Sequence, residues 1–120
     1  MVEFDQAAVA ANIECARRQP ILGTLTDWWI TLSIAGTEDA LAIVADALGV
    51  MGGENLGDKQ TGFLNAKLPV PNDPSRIISV IRAVGDLTRT AGAELVGVDV
   101  DSSPDVRQSA FAVLWARQRP

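Results

Sequence analysis

Asp27-Trp28-Trp29-Ile30-Thr31-Leu32-Ser33-Ile34-Ala35 sets large apolar side chains at every second position. Successive side chains of an extended strand point to opposite faces, so Trp28, Ile30, Leu32 and Ile34 share one face and Trp29, Thr31 and Ser33 the other. This spacing predicts a β-strand with one buried face. Gly36 breaks the alternation, and Thr37 is a good helix N-cap. Glu38 and Asp39 then put negative charge in the first turn, where the helix dipole favours it. The helix runs to about Gly49, with Leu41, Val44, Ala45 and Leu48 as its buried stripe.

Further along the chain, Val50 to Leu56 reads as an edge strand weakened by Gly52 and Gly53. Gly57-Asp58-Lys59-Gln60-Thr61-Gly62 reads as a hairpin connection. Phe63 to Val70 alternates again, with Leu64, Ala66, Leu68 and Val70 inward and Phe63, Asn65 and Lys67 outward. Asn72-Asp73-Pro74 starts a helix: Asp73 caps it, and Pro74 takes the first helical position, where a missing N–H costs nothing. Ile77, Ile78, Ile81, Val84, Leu87, Thr88 and Ala91 keep the helical period until Gly92. Glu94 to Asp101 is a last core strand, with Val96, Val98 and Val100 inward and Leu95, Gly97 and Asp99 outward.

The two ends of the chain add to this core. Asp5 to Gln19 holds no proline or glycine and reads as an amphipathic helix, with Val9, Ile13 and Ala16 on its stripe and Phe4, Ala8, Ala11 and Cys15 on the flank. Cys15 is expected to be a small packed residue. At the C-terminus, Ser103-Pro104-Asp105 is a helix start, whereas Phe111, Val113 and Trp115 alternate as in a strand, and both continuations stay open.

Strand, helix, strand, strand, helix, strand is the split β-α-β order. The expected fold class is therefore α+β: a ferredoxin-like βαββαβ antiparallel sheet with two helices on one face, plus an N-terminal helix and an extra C-terminal element. The core spans about 27–101 of a single domain covering 1–120.

Composition removes many functions. The chain of 120 residues has no histidine, no tyrosine and one cysteine. Without histidine there is neither the usual proton shuttle near neutral pH nor a base for a Ser-His or Cys-His nucleophile. Zinc would need several Cys or His ligands. No catalytic residue, metal or cofactor is expected, and the least favoured reading is a carboxylate-based enzyme using Asp99 and Asp101. One cysteine fits a reducing, cytoplasmic compartment. The N-terminus carries Glu3 and Asp5 and no basic n-region, and no apolar run approaches a membrane span.

Three motif-like stretches fail on inspection. The glycines at 52, 53, 57 and 62 lack the Gly-Lys-Ser/Thr of a phosphate loop. Asp99, Asp101, Ser103 and Asp105 resemble the opening of a calcium loop, but Pro104 stands where glycine is required and Ala110 where the closing glutamate belongs. Thr61-Gly62-Phe63 faintly echoes an RNA-recognition strand, yet Asn65 and Leu68 replace the aromatics that would follow. An isoelectric point near 4.5 also disfavours phosphate attraction, so no nucleic-acid partner is expected.

Charge distribution says more. Between Asp27 and Asp58 lie six acidic residues and no basic one. Arg82, Arg89, Arg107, Arg117 and Arg119 all fall beyond Ile81. An acidic end could steer a basic partner, and Trp29 and Phe63 on the open sheet face would be contact aromatics unless a terminal element covers them. The candidate partner-binding residues are Trp29, Phe63, Glu38, Asp39 and Asp58, and a homodimer is also compatible with such a face.

The N-terminal helix, the strand around Trp28 to Ile34, the two β-α-β halves and the closing Glu94-Leu95-Val96-Gly97-Val98 resemble the bacterial regulators of ribonuclease activity B. Leu95-Val96-Gly97-Val98 stands where that family has a Tyr-Asp-Gly-Trp-type segment, with Gly97 in common, and Arg117 and Arg119 stand where its acidic tail lies. The resemblance implies a non-catalytic regulatory or inhibitory module whose protein partner is ribonuclease E. An immunity protein neutralising a toxic enzyme would use the same physics. A second resemblance, through Gly36 and the following Leu41, Val44 and Leu48, is to ACT domains. It implies an amino-acid-binding module with Gly36 and Thr37 at the turn facing a dimer mate.

Overall fold

A computed structural model describes residues 6–55, 62–102 and 111–116. The elements run α1 (Gln6–Arg17), a 3₁₀ turn (Leu22–Thr24), β1 (Asp27–Ala35), α2 (Glu38–Val50), β2 (Glu54–Asn55), β3 (Phe63–Pro71), α3 (Pro74–Ala91), β4 (Glu94–Asp101) and β5 (Phe111–Ala116). The fold is α+β, and its five strands form one sheet in the order β2-β3-β1-β4-β5. Every adjacent pair is antiparallel.

β1 lies at the centre because its apolar face is the richest in the chain. Trp28, Ile30, Leu32 and Ile34 are all fully buried, and they stand in register with Val70, Leu68, Ala66 and Leu64 of β3. Val9, Ile13 and Ala16 of α1, Leu41, Val44 and Leu48 of α2, and Ile77, Ile81 and Val84 of α3 join the same core. All three helices therefore cover one face of the sheet, with α3 touching both α1 and α2. No described helix is long and apolar enough to cross a membrane.

Local signals end the helices as their chemistry dictates. The Thr37 hydroxyl accepts from Ala40 N–H at 3.2 Å, and the Asp73 carboxylate accepts from Ser75 N–H at 3.1 Å. Gly92 closes α3 in the left-handed region at φ 83, which a side chain would disfavour. Gly23 is needed for a different reason: a Cβ there would lie 2.2 Å from the Arg17 carbonyl oxygen. That close approach lets the turn fold over Trp28, whose indole N–H donates to the Leu22 carbonyl at 2.8 Å.

Several expectations are corrected. Val50 belongs to α2, and the described part of the edge strand is only Glu54–Asn55, because a turn through Gly52 at φ 90 separates helix from strand. The register of β4 against β1 shifts between Ser33 and Ile34, which sets Leu95 opposite Ile34. Leu95 consequently packs against the core, reversing the expected inward place of Val96. Cys15 is exposed, as are Ala8 and Ala11, since α1 rests only on its narrow stripe. The C-terminal segment continues as a strand beside β4, although its alternation is broken: Trp115 pairs with Val98 on the helix side and Val113 with Asp99 on the other. Phe4, Asp58 and the helix start at Pro104 lie outside the described residues.

Candidate functional site

Because α1, α2 and α3 all occupy one side, no described helix covers the other face of the sheet. Its rows can be read across the strands from the register. One row runs Glu54, Lys67, Thr31, Asp99 and Val113; the rows beside it hold Pro69, Trp29 and Asp101 on one side, and Asn65, Ser33 and Gly97 on the other. Phe63 pairs with Ala35 at the far end of β1.

This face has a polar middle. Lys67, expected simply to point outward, is 2% exposed, and its Nζ lies 3.6 Å from Asp101 Oδ2. The Thr31 hydroxyl donates to the same carboxylate oxygen. Ser33 Oγ–H donates to Asn65 Oδ1 at 3.1 Å in the row beside that of Thr31 and Lys67. Asp99 is partly buried beside this cluster, and burial, followed by the Asp101 charge, raises its carboxyl above the ordinary value of 3.8. Asp101 is thus engaged by a cation and a hydroxyl, while Asp99 stands beside them with its carboxyl raised by burial. Among the described residues no group of three or more Asp, Glu, Cys or His side chains could hold a metal ion.

The residues singled out from the sequence divide between the two ends of β1. Trp29 is half-buried next to Asp101, six residues from Ala35, or about 20 Å along an extended strand. It does not share a patch with Phe63. Phe63, 48% exposed, lies instead at the end where β1 passes through Gly36 into α2, and Gly36 N–H donates to the Gly62 carbonyl at 3.1 Å. Glu38 and Asp39 are exposed on the first turn of that helix. Phe63, Glu38 and Asp39 are therefore brought to one end of the domain. At the same turn, the Thr37 hydroxyl is used in capping, and a Cβ on Gly36 would meet Ala93 Cβ at 3.1 Å.

Two features of the molecular surface are not among the expectations from sequence. The Lys67–Asp101 pair depends on the joint register of β3, β1 and β4, which no local pattern encodes. The second, the outward side of α2, did leave a signal. Its 13 residues contain three charges, all acidic, and are otherwise apolar or glycine, whereas a surface helix normally carries a polar face. No protein-family model matches the chain, and no curated protein or solved structure matches it at a significant level.

Proposed function

We propose that residues 27–101 form a ferredoxin-like core, and that the protein is a non-catalytic bacterial regulatory module acting by protein contact, in the manner of the regulators of ribonuclease activity B. The strand order β2-β3-β1-β4, antiparallel throughout and with α2 and α3 in its two crossovers, supports the fold reading. The observation that carries the functional reading is the exposed Phe63 ring at the same end as Glu38 and Asp39. A large aromatic about half exposed at the same end of the domain as two like charges is suited to a partner that buries the ring and neutralises the acids. Asp58 is assigned to the same contact by its place in the acidic stretch from Asp27 to Asp58. The partner is a cytoplasmic enzyme, with ribonuclease E as the candidate.

The test is cleavage of a labelled RNA by purified bacterial ribonuclease E in the presence of this protein. Inhibition should saturate as the protein is added. The triple variant Phe63→Ser, Glu38→Gln, Asp39→Asn should need about tenfold more protein for the same effect, a loss of about 1.4 kcal/mol in binding, with a melting temperature lowered by only a few degrees through the lost first-turn charges and ring contacts. Full RNA cleavage at saturating protein rejects the ribonuclease reading. A melting shift with a free amino acid, lost in Thr37→Ala, would favour the ACT-like alternative instead.

A further inference from the structure

We propose that the outward side of α2 is a docking strip for a basic amphipathic helix of the partner protein. This deepens the protein-contact reading and rests on it. The strip is Asp39, Ile43, Asp46 and Val50, at offsets of four, seven and eleven residues, so the four side chains follow one side of the helix. Ile43 is 56% exposed and Val50 89% exposed, although the opposite side of the helix supplies Leu41, Val44 and Leu48 to the core. Met51, 43% exposed, extends the apolar surface at the C-terminal end.

Acidic and apolar groups alternate along this strip, and that alternation selects the occupant. A second copy laid antiparallel against α2 would set Asp39 against Val50 and Asp46 against Ile43, burying both carboxylates against apolar groups with no counter-charge. An anionic lipid surface would be repelled by the same carboxylates. A helix with arginine or lysine at two positions seven residues apart, and leucine-type side chains between them, would satisfy both components. Its two cations would stand about 10 Å apart, as Asp39 and Asp46 do at a helical rise of 1.5 Å per residue. The strip is also preorganised, because the Thr37 cap and the buried stripe of α2 hold it in place before any partner arrives.

The probe is a fluorescein-labelled helical peptide of about 18 residues, with leucine and arginine alternating at three- and four-residue spacing in an alanine–glutamine host. Its anisotropy is followed as the full chain is added. Saturable binding is expected, weakened about tenfold by Val50→Ser and about tenfold by Asp39→Asn with Asp46→Asn. Amide shifts should centre on residues 39–51. A peptide with glutamate in place of arginine should not bind.

Absence of binding by the arginine peptide overturns the proposal, as does binding by either variant as tight as that of the parent, or binding of the glutamate peptide as tight as that of the arginine peptide. A dimer in sedimentation equilibrium that Val50→Ser dissolves would assign the strip to a second copy. Cosedimentation with phosphatidylglycerol vesicles that Val50→Ser abolishes would assign it to a membrane, and either result also overturns the proposal. Peptide binding at the strip alongside uninhibited ribonuclease E would retain the strip and reject only that enzyme, whereas inhibition unaffected by Val50→Ser would retain the enzyme and reject the strip.

Discussion

Lys67 is the residue whose position is hardest to reconcile with an ordinary sheet surface. An ammonium group that is 2% exposed must recover its lost hydration from neighbours, and Asp101 provides an opposite charge at 3.6 Å. Such a pair is weak evidence for net stability, since desolvation consumes most of the attraction. It does fix geometry, tying β3 to β4 across the Thr31 position of β1. Asp99 has the opposite electrostatic fate. Its folded carboxyl titrates above its unfolded value, so between those two values the folded state holds more protons than the unfolded one. Stability from this group is accordingly present at low pH and lost as pH rises through the folded pKa. Asp99→Asn should therefore be more stable than the parent at pH 7, with the advantage shrinking as pH falls and vanishing below the ordinary value of 3.8. Urea melts of both proteins across that range would measure it, and equal midpoints at pH 7 would refute the assignment.

Elements follow their local patterns wherever burial and periodicity agree. β1, α2, α3 and β4 were legible because each carries an apolar set at its own period and a recognisable stop: Gly36 after β1, Asp73 and Pro74 before α3, and Gly92 after it. β5 was not legible, because Pro104 and the alternation of Phe111, Val113 and Trp115 argue for different structures. The outcome depends on β4 offering an edge far away in sequence. Leu95 and Val96 exchange roles for a related reason, since a bulge is a property of two strands together. The candidate site was legible in part: Phe63, Glu38 and Asp39 converge, whereas the distance to Trp29 follows from strand length and could have been anticipated. Asn12, in the middle of α1, received no attention from periodicity, yet its side-chain amide donates to the Leu114 carbonyl of β5 at 2.8 Å. Removing that donor from a partly buried contact should cost about 1 kcal/mol. Asn12→Ala should lower the unfolding free energy by that amount in denaturant melts, and an unchanged midpoint would show that water replaces the bond without loss.

Across the whole molecule, the two ends of the described chain meet. α1 and β5 are separated by nearly the full sequence, but α1 packs on β5 and on α3, while β5 lengthens the sheet beyond β4. The opposite edge is finished differently: the described part of β2 is Glu54–Asn55, and beyond Glu54 the residues Pro69 and Pro71 remove N–H donors from β3, which discourages a foreign strand. A domain closed by its own terminal elements should lose them together. Leu114 is fully buried between them, so Leu114→Ala should cost about 3 kcal/mol, in the range of buried leucine truncations. The informative quantity is where that cost appears. Native-state hydrogen exchange should show amides of α1 around Val9 to Ala16 losing protection in step with those of β5, because each element buries the other's apolar side. Amides of α2, whose buried stripe reaches the core through β3, should lose only what the global stability loses. If β5 loosens while α1 keeps its protection, then α1 is anchored by α3 alone, and the terminal elements do not form one cooperative unit.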